Sequence, residues 1–157
     1  MPRFILALAL LVATPAMAQQ IAFGGLQQDT TLPVEIGADT LSVNNADGSA
    51  TFSGNVLVGQ GDMRLKAGEI RVIYDADGKS IQRLIASGGV TLTTGGEAAE
   101  AASAEYSISS GQVVMVGDVL LTQGQSALSG QKLIIDLTAG TGRMEGRVQT
   151  TFLPGNN

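Results

Sequence analysis

The sequence predicts an all-β protein built as four hairpin repeats that stack side by side. Three observations predict it. A glycine-centred phrase recurs as Phe52-Ser-Gly54-Asn-Val56, Ala86-Ser-Gly88-Gly-Val90, Val116-Gly117-Asp-Val119 and Glu145-Gly146-Arg-Val148. Apolar and polar residues alternate along much of the chain from Leu32 to Leu153. No stretch in that span carries an apolar stripe at helical spacing. The four glycines lie 34, 29 and 29 residues apart (54 to 88, 88 to 117, 117 to 146). Units of that length cannot bury an apolar face alone and must stack on their neighbours.

The chain opens with Arg3, an apolar run from Phe4 to Val12, and Ala16-Met17-Ala18. Residues 1–18 therefore read as a cleaved secretory signal, since the run is too short to span a bilayer. Gln19 to Thr31 shows little periodicity and reads as a flexible leader. A single domain is expected over residues 32–154.

The first repeat pairs Ala38–Val43 with Ala50–Val58 across a turn at Asn44–Gly48. The second pairs Ala67–Tyr74 with Ile81–Leu92 across Asp75–Gly78. The third pairs Ala102–Ile108 with Gln112–Leu121 across Ser110-Gly111. The fourth pairs Gly130–Leu137 with Arg143–Thr150 across Ala139–Gly142. Asp-Gly turns tolerate the positive φ that tight hairpins need. Within the strands Leu41 and Val43 share a face, as do Val56 and Val58, Met63 and Leu65, and Ile70, Val72 and Tyr74. So do Val90 and Leu92, Val119 and Leu121, and Leu133, Ile135 and Leu137. Their neighbours are mostly polar, so one face is dry and one wet. A glycine inside each phrase marks a bend or a close backbone approach.

The dry face is aliphatic, with no Trp and only four Phe and two Tyr in the whole chain. Two readings stand side by side. One is an ordinary packed core. The other is a slender trough suited to flexible alkyl chains, which need apolar area and few oriented hydrogen bonds.

Several chemistries are excluded. There is no His and no Cys. Ser-His and Cys-His nucleophiles, disulfides and His- or Cys-based metal sites are absent with them. No metal site and no cofactor are expected, and no catalytic residue. Ser129-Gly-Gln-Lys132 lies between strands and lacks its companion motifs. Gly59-Gln-Gly61 lacks a third glycine and a following helix. Asp75-Ala-Asp77-Gly78 reads as a turn, since no further oxygen ligands follow at calcium-loop spacing. Glu97, Glu100 and Glu105 form an acidic group in or beside the Ala/Gly-rich stretch Thr93 to Ala104, which reads as a solvated loop. A net charge of −5 without a basic stripe excludes nucleic acid as a partner. Arg64, Lys66, Arg71, Lys79 and Arg83 read as a solvated sheet edge, with a polar-head contact as the alternative.

Five segments carry a family resemblance. They are Pro33-Val-Glu-Ile36 with Ala38-Asp39, Phe52-x-Gly54-Asn55-Val56, Gln60-Gly61, Gly117-Asp-Val119-x-Leu121-x-Gln123-Gly124, and Gly130-x-Lys132-x-x-x-Asp136-Leu137-x-x-Gly140. In order and spacing they resemble the OstA/LptA-like family of periplasmic lipopolysaccharide-transport proteins, from about Leu32 to Leu153. The resemblance implies a twisted β-jellyroll of about sixteen short antiparallel strands, open at both ends. It implies a non-enzymatic periplasmic carrier whose interior shields the acyl chains of lipid A. It also implies end-to-end self-association, an inner-membrane-anchored jellyroll partner at the N-terminal edge and an outer-membrane translocon jellyroll at the C-terminal edge.

On that reading the interior is lined by Leu41, Val43, Phe52, Val56, Val58, Leu65, Ile70, Val72, Val90, Leu92, Tyr106, Ile108, Val119, Leu121, Leu133, Ile135, Leu137 and Val148. The partner edges are marked by Pro33 and Ile36 at one end and by Val148 and Phe152 at the other. The competing expectation is a polymerising scaffold, a β-solenoid that carries no lipid. A polysaccharide-cleaving enzyme on such a solenoid would need aromatic platforms and an acid pair that this sequence lacks.

Overall fold

The computed structural model describes residues 26–152. The expected signal, residues 19–25 of the leader and the chain beyond Phe152 lie outside them. Twelve strands follow one another: β1 (Glu35–Gly37), β2 (Thr40–Asn44), β3 (Ser49–Gln60), β4 (Met63–Tyr74), β5 (Ile81–Ser87), β6 (Val90–Thr94), β7 (Glu97–Ala101), β8 (Ser103–Ser107), β9 (Gln112–Gln123), β10 (Ser126–Asp136), β11 (Thr141–Glu145) and β12 (Gln149–Thr151). All pairings among them are antiparallel and belong to one sheet.

That sheet folds back on itself. The long strands β3, β4, β9 and β10 each take different partners along their two halves. The first half of β3 pairs with β2 and its second half with β1. The second half of β4 pairs with β5 and its first half with β6. Strands β9 and β10 divide in the same way, between β8 and β7 and between β11 and β12. Two layers result. One runs β2-β3-β4-β5-β8-β9-β10-β11 and the other β1-β3-β4-β6-β7-β9-β10-β12. Counting each long strand as two turns twelve strands into the sixteen that the family resemblance implies. The difference in number is one of continuity, because hydrogen bonding carries these four strands through their corners.

The four glycine phrases form the seam between the layers. Each holds two successive residues at positive φ: Gly54 and Asn55 at 80° and 46°, Gly88 and Gly89 at 80° and 82°, Gly117 and Asp118 at 91° and 45°, Gly146 and Arg147 at 83° and 47°. Such a pair turns the chain sharply while the ladder restarts on the far side, where the register shifts. Neighbouring corners sit against each other. Asp39 N–H donates to the Gly54 carbonyl at 2.9 Å, and Ala102 N–H to the Gly117 carbonyl at 3.0 Å. A methyl group on Gly117 would lie 2.7 Å from Ala102 Cβ, so the seam requires a residue without a side chain there.

The four hairpins group into two equivalent halves. Leu41 opposite Phe52 in the first half recurs 63 residues on as Ala104 opposite Met115. Ile36 opposite Val58 recurs in the same way as Ala99 opposite Leu121. The halves join where β5 meets β8 and β6 meets β7.

Two sequence expectations are corrected. The stretch from Thr93 to Ala104 is not a loop: it holds all of β7 and the start of β8. Alanine has low strand propensity. Here Ala99, Ala101 and Ala104 are buried, held in place by their pairing with the flanking strands. The leader is also anchored over its described part. Leu26 is fully buried, and Gln28 N–H donates to the Leu137 carbonyl at 2.7 Å. The side chain of Gln28 reaches the Gln60 carbonyl at 2.6 Å. Leu137 follows β10 in one layer and Gln60 ends β3 in the other, so this segment straps the two layers together opposite the seam.

Candidate functional site

The two layers face each other through one aliphatic cluster. Val56, Val58, Leu65, Ile70, Val72, Val90, Leu92, Tyr106, Val119, Leu121, Leu133, Ile135 and Leu137 all lie in it, none more than 2 % exposed. Phe52 and Ile108 are half-buried against its margin. The strand alternation that selects these positions is the alternation of the pleat, with odd and even residues exchanging faces only at a corner. Register therefore sets Leu65 beside Leu92 and Leu84 beside Tyr106.

Three predicted lining residues are not covered. Leu41 is 56 % exposed, Val43 61 % and Val148 46 %. Leu41 and Val43 pair with Phe52 and Ala50, but among the described residues β2 is the last strand of its layer. Val148 follows the last corner at the opposite end. The cluster is thus closed in the middle and bare at both ends. The four edge residues follow suit: Pro33 and Phe152 are exposed, and Ile36 is half-buried. Strands β1 and β2 at one end, and β11 and β12 at the other, each have one unpaired side.

Sequence reasoning placed Met63 on the dry face but not in the lining, and missed Leu84, Val113 and Met115; all four are fully buried or nearly so. Met115 and Val113 keep the odd-numbered alternation of Val119 and Leu121, which runs unbroken through the corner at Gly117. The alanines gave no signal at all.

The inward face also has a polar margin. Along the hairpin ends of the second layer the inward residues are Gln60, Met63, Thr94, Glu97 and Gln123, where the first layer ends on Val72, Tyr106, Val113 and Leu137. Tyr106 Oη donates to Gln60 Oε1 at 2.7 Å, bridging the layers. Gln60 Nε2 donates in turn to the carbonyls of Thr30 and Leu32 at 3.0 and 2.9 Å. Burial pushes the Tyr106 hydroxyl up to about 12, against a smaller downward pull from Gln60. It stays a neutral donor across the ordinary pH range.

The basic and acidic groups fall where charge is well solvated. Arg64, Lys66 and Arg71 point outward from β4. Arg71 pairs with Asp47 at 2.7 Å and Arg83 with Glu105 at 2.9 Å, both in exposed positions where such pairs add little stability. The three glutamates do not form one group, since Glu100 and Glu105 face out and Glu97 faces in. Among the described residues no cluster of acidic side chains could hold a metal ion, and no helix is long and apolar enough to cross a membrane.

Comparison with known proteins agrees with this geometry. A protein of Rhizobium meliloti without an assigned function is 31 % identical over 93 % of this chain and 86 % of its own length. The lipopolysaccharide export system protein LptA of Escherichia coli K12 is 28 % identical, over 82 % of this chain and 72 % of its own. The crystal structure of LptH superposes with a TM-score of 0.72 at 17 % identity, over 81 % of this chain and 99 % of that one. LptH is the LptA-homologous periplasmic component of the lipopolysaccharide transport device of Pseudomonas aeruginosa. The jellyroll architecture is therefore shared. The family model described as LptA/(LptD N-terminal domain) LPS transport protein matches residues 35–141. The chain belongs to that family, a family of transport proteins rather than enzymes.

Proposed function

We propose that this protein is a periplasmic carrier that holds the acyl chains of lipopolysaccharide between its two layers and passes the lipid along a bridge of jellyrolls. The observation that carries the reading is an aliphatic interior that runs from one bare sheet end to the other. Leu41 and Val43 expose it at the N-terminal end and Val148 at the C-terminal end. An ordinary core has no reason to be open at opposite ends. Burying one CH₂ contributes about 0.8 kcal/mol, so even partial cover of several acyl chains outweighs the repulsion between an acidic protein and an anionic lipid.

The middle of the interior is packed on itself, so lipid enters as the layers part. Aliphatic side chains and the inward Met63 and Met115 suit this, because they repack without oriented contacts. The unpaired edges supply the bridge. Strands β1 and β2 accept an inner-membrane-anchored jellyroll by strand addition, β11 and β12 accept an outer-membrane translocon jellyroll, and copies of the chain join end to end.

Site-specific photocrosslinking in cells tests the reading. Probes at inward Val56, Val90 and Leu121 give lipopolysaccharide adducts, and probes at outward Asn55 and Thr91 give none. Exported protein with no adduct at any inward position would replace the carrier by a scaffold that polymerises and carries nothing.

A further inference from the structure

Glu97 is the only charged side chain that the register turns inward among the described strands. It opens β7, and its inward neighbours along that strand, Ala99 and Ala101, are buried. It lies opposite Thr94 of β6, which is 2 % exposed, and opposite Gln123 of β9. Gln123 Nε2 donates to Glu97 Oε1 at 3.1 Å. Glu97 Oε2 is buried and has no donor, the one such side-chain oxygen or nitrogen among the described residues.

A buried carboxylate oxygen without a donor is costly, and native proteins seldom keep one without a use. On the far part of the same margin, Gln60 shows the contrast: its side-chain oxygen is met by Tyr106 and its nitrogen by the strap. Among the described residues nothing plays that part for Glu97. The vacant acceptor sits where the aliphatic interior ends and the polar margin begins. An amphiphile lying with its chains inside would place there the first polar groups beyond its chains.

We propose that Glu97, positioned by Gln123, is a recognition point for a hydrogen-bond donor on the cargo: an ammonium, hydroxyl or amide N–H borne next to an alkyl chain. This rests on the carrier reading and adds to it a polar selectivity. A carboxylate repels phosphate and attracts donors, most strongly cationic ones. The site therefore sets which way round an acylated molecule lies, with its donor-bearing junction at the β6–β7 hairpin.

Titration calorimetry on the whole mature protein tests this with four single-chain probes below their micelle concentrations. They are decylammonium, decyltrimethylammonium, N-decanoylethanolamine and decyl phosphate. Decylammonium is expected to bind about tenfold or more tightly than decyltrimethylammonium, which has the charge but no donor. N-decanoylethanolamine binds more tightly than decyl phosphate. Glu97→Gln removes the preference for the ammonium and keeps that for the neutral donor, while Glu97→Ala removes both. Thermal melts of both variants confirm that they are folded. Equal binding of all four probes to the parent protein, or preferences unchanged in Glu97→Ala, would overturn the site and leave the carrier reading standing. A parent protein that binds no probe at all would overturn both.

Discussion

The hydroxyl of Tyr106 and the side-chain oxygen of Gln60, 46 residues apart in sequence, meet at 2.7 Å inside the protein and tie one sheet layer to the other. The same Gln60 holds the strap through Thr30 and Leu32. Tyr106→Phe leaves that buried oxygen without its donor and is expected to cost about 1–3 kcal/mol in urea unfolding. It should also speed amide exchange at Gln28, since the strap loses rigidity at its anchor. Unchanged exchange there would separate the strap from the interlayer bond.

The same hydroxyl predicts an alkaline limit. Its folded value is raised to about 12 from an ordinary 10.0. Between those values the folded state holds a proton that the unfolded state has released, so stability falls as pH rises. The contribution is complete below about pH 10 and is lost as pH climbs through about 12. Melting temperature followed from pH 8 to 12 should decline more steeply in the parent protein than in Tyr106→Phe.

The seam predicts a contrast between glycines. Gly117→Ala forces a methyl group into Ala102 at 2.7 Å, on a backbone at φ 91°. It is expected to cost about 2 kcal/mol or more. Gly37→Ala meets nothing within 4 Å and has no positive φ, so it should stay within about 0.5 kcal/mol. Equal midpoints in urea for the two variants would show that the corner at Gly117 is soft.

Position along the interior predicts which substitutions separate folding from function. Val43→Asp, at an end that is already 61 % exposed, should leave the urea midpoint nearly unchanged while weakening association of the N-terminal edge in sedimentation. Leu121→Asp would bury a carboxylate in the closed middle, and should lose several kcal/mol and unfold at lower temperature.

Leu26 carries the strap's apolar anchor. Leu26→Ala removes a fully buried side chain and is expected to cost about 2–5 kcal/mol if the strap folds with the sheet. If the strap opens by itself, the loss appears instead as local exchange at Gln28 with the global midpoint intact.

Much of this architecture is legible in the sequence because a pleated strand exchanges faces at every residue. Leu133, Ile135 and Leu137 announce their shared face without help, and Asp77-Gly78 announces its turn. The glycine phrases mark corners, but their spacing does not show that β3 and β9 run on through Gly54 and Gly117, or that β4 and β10 turn without such a phrase. Strand β7 was illegible, since Glu97-Ala-Ala-Glu-Ala101 has neither branched nor aromatic residues and its place is set by neighbouring strands. Glu97 was hidden for the same reason: a charge on a supposed loop points nowhere. The strap escaped notice because one leucine and two glutamines make no period.

The duplication gives the two bare ends a fixed relation to each other. Strands β1 and β2 are the counterparts of β7 and β8, and β11 and β12 those of β5 and β6. The central junction, where Ala86 lies opposite Ala104, would then serve as a mould for any contact between successive copies. Carried to the ends, the same phase would set Met144 of one copy opposite Leu41 of the next, and Thr150 opposite Ile36. A chain of such copies would have no special joint: a lipid crossing from molecule to molecule would meet the same spacing of rungs that it meets halfway through each one.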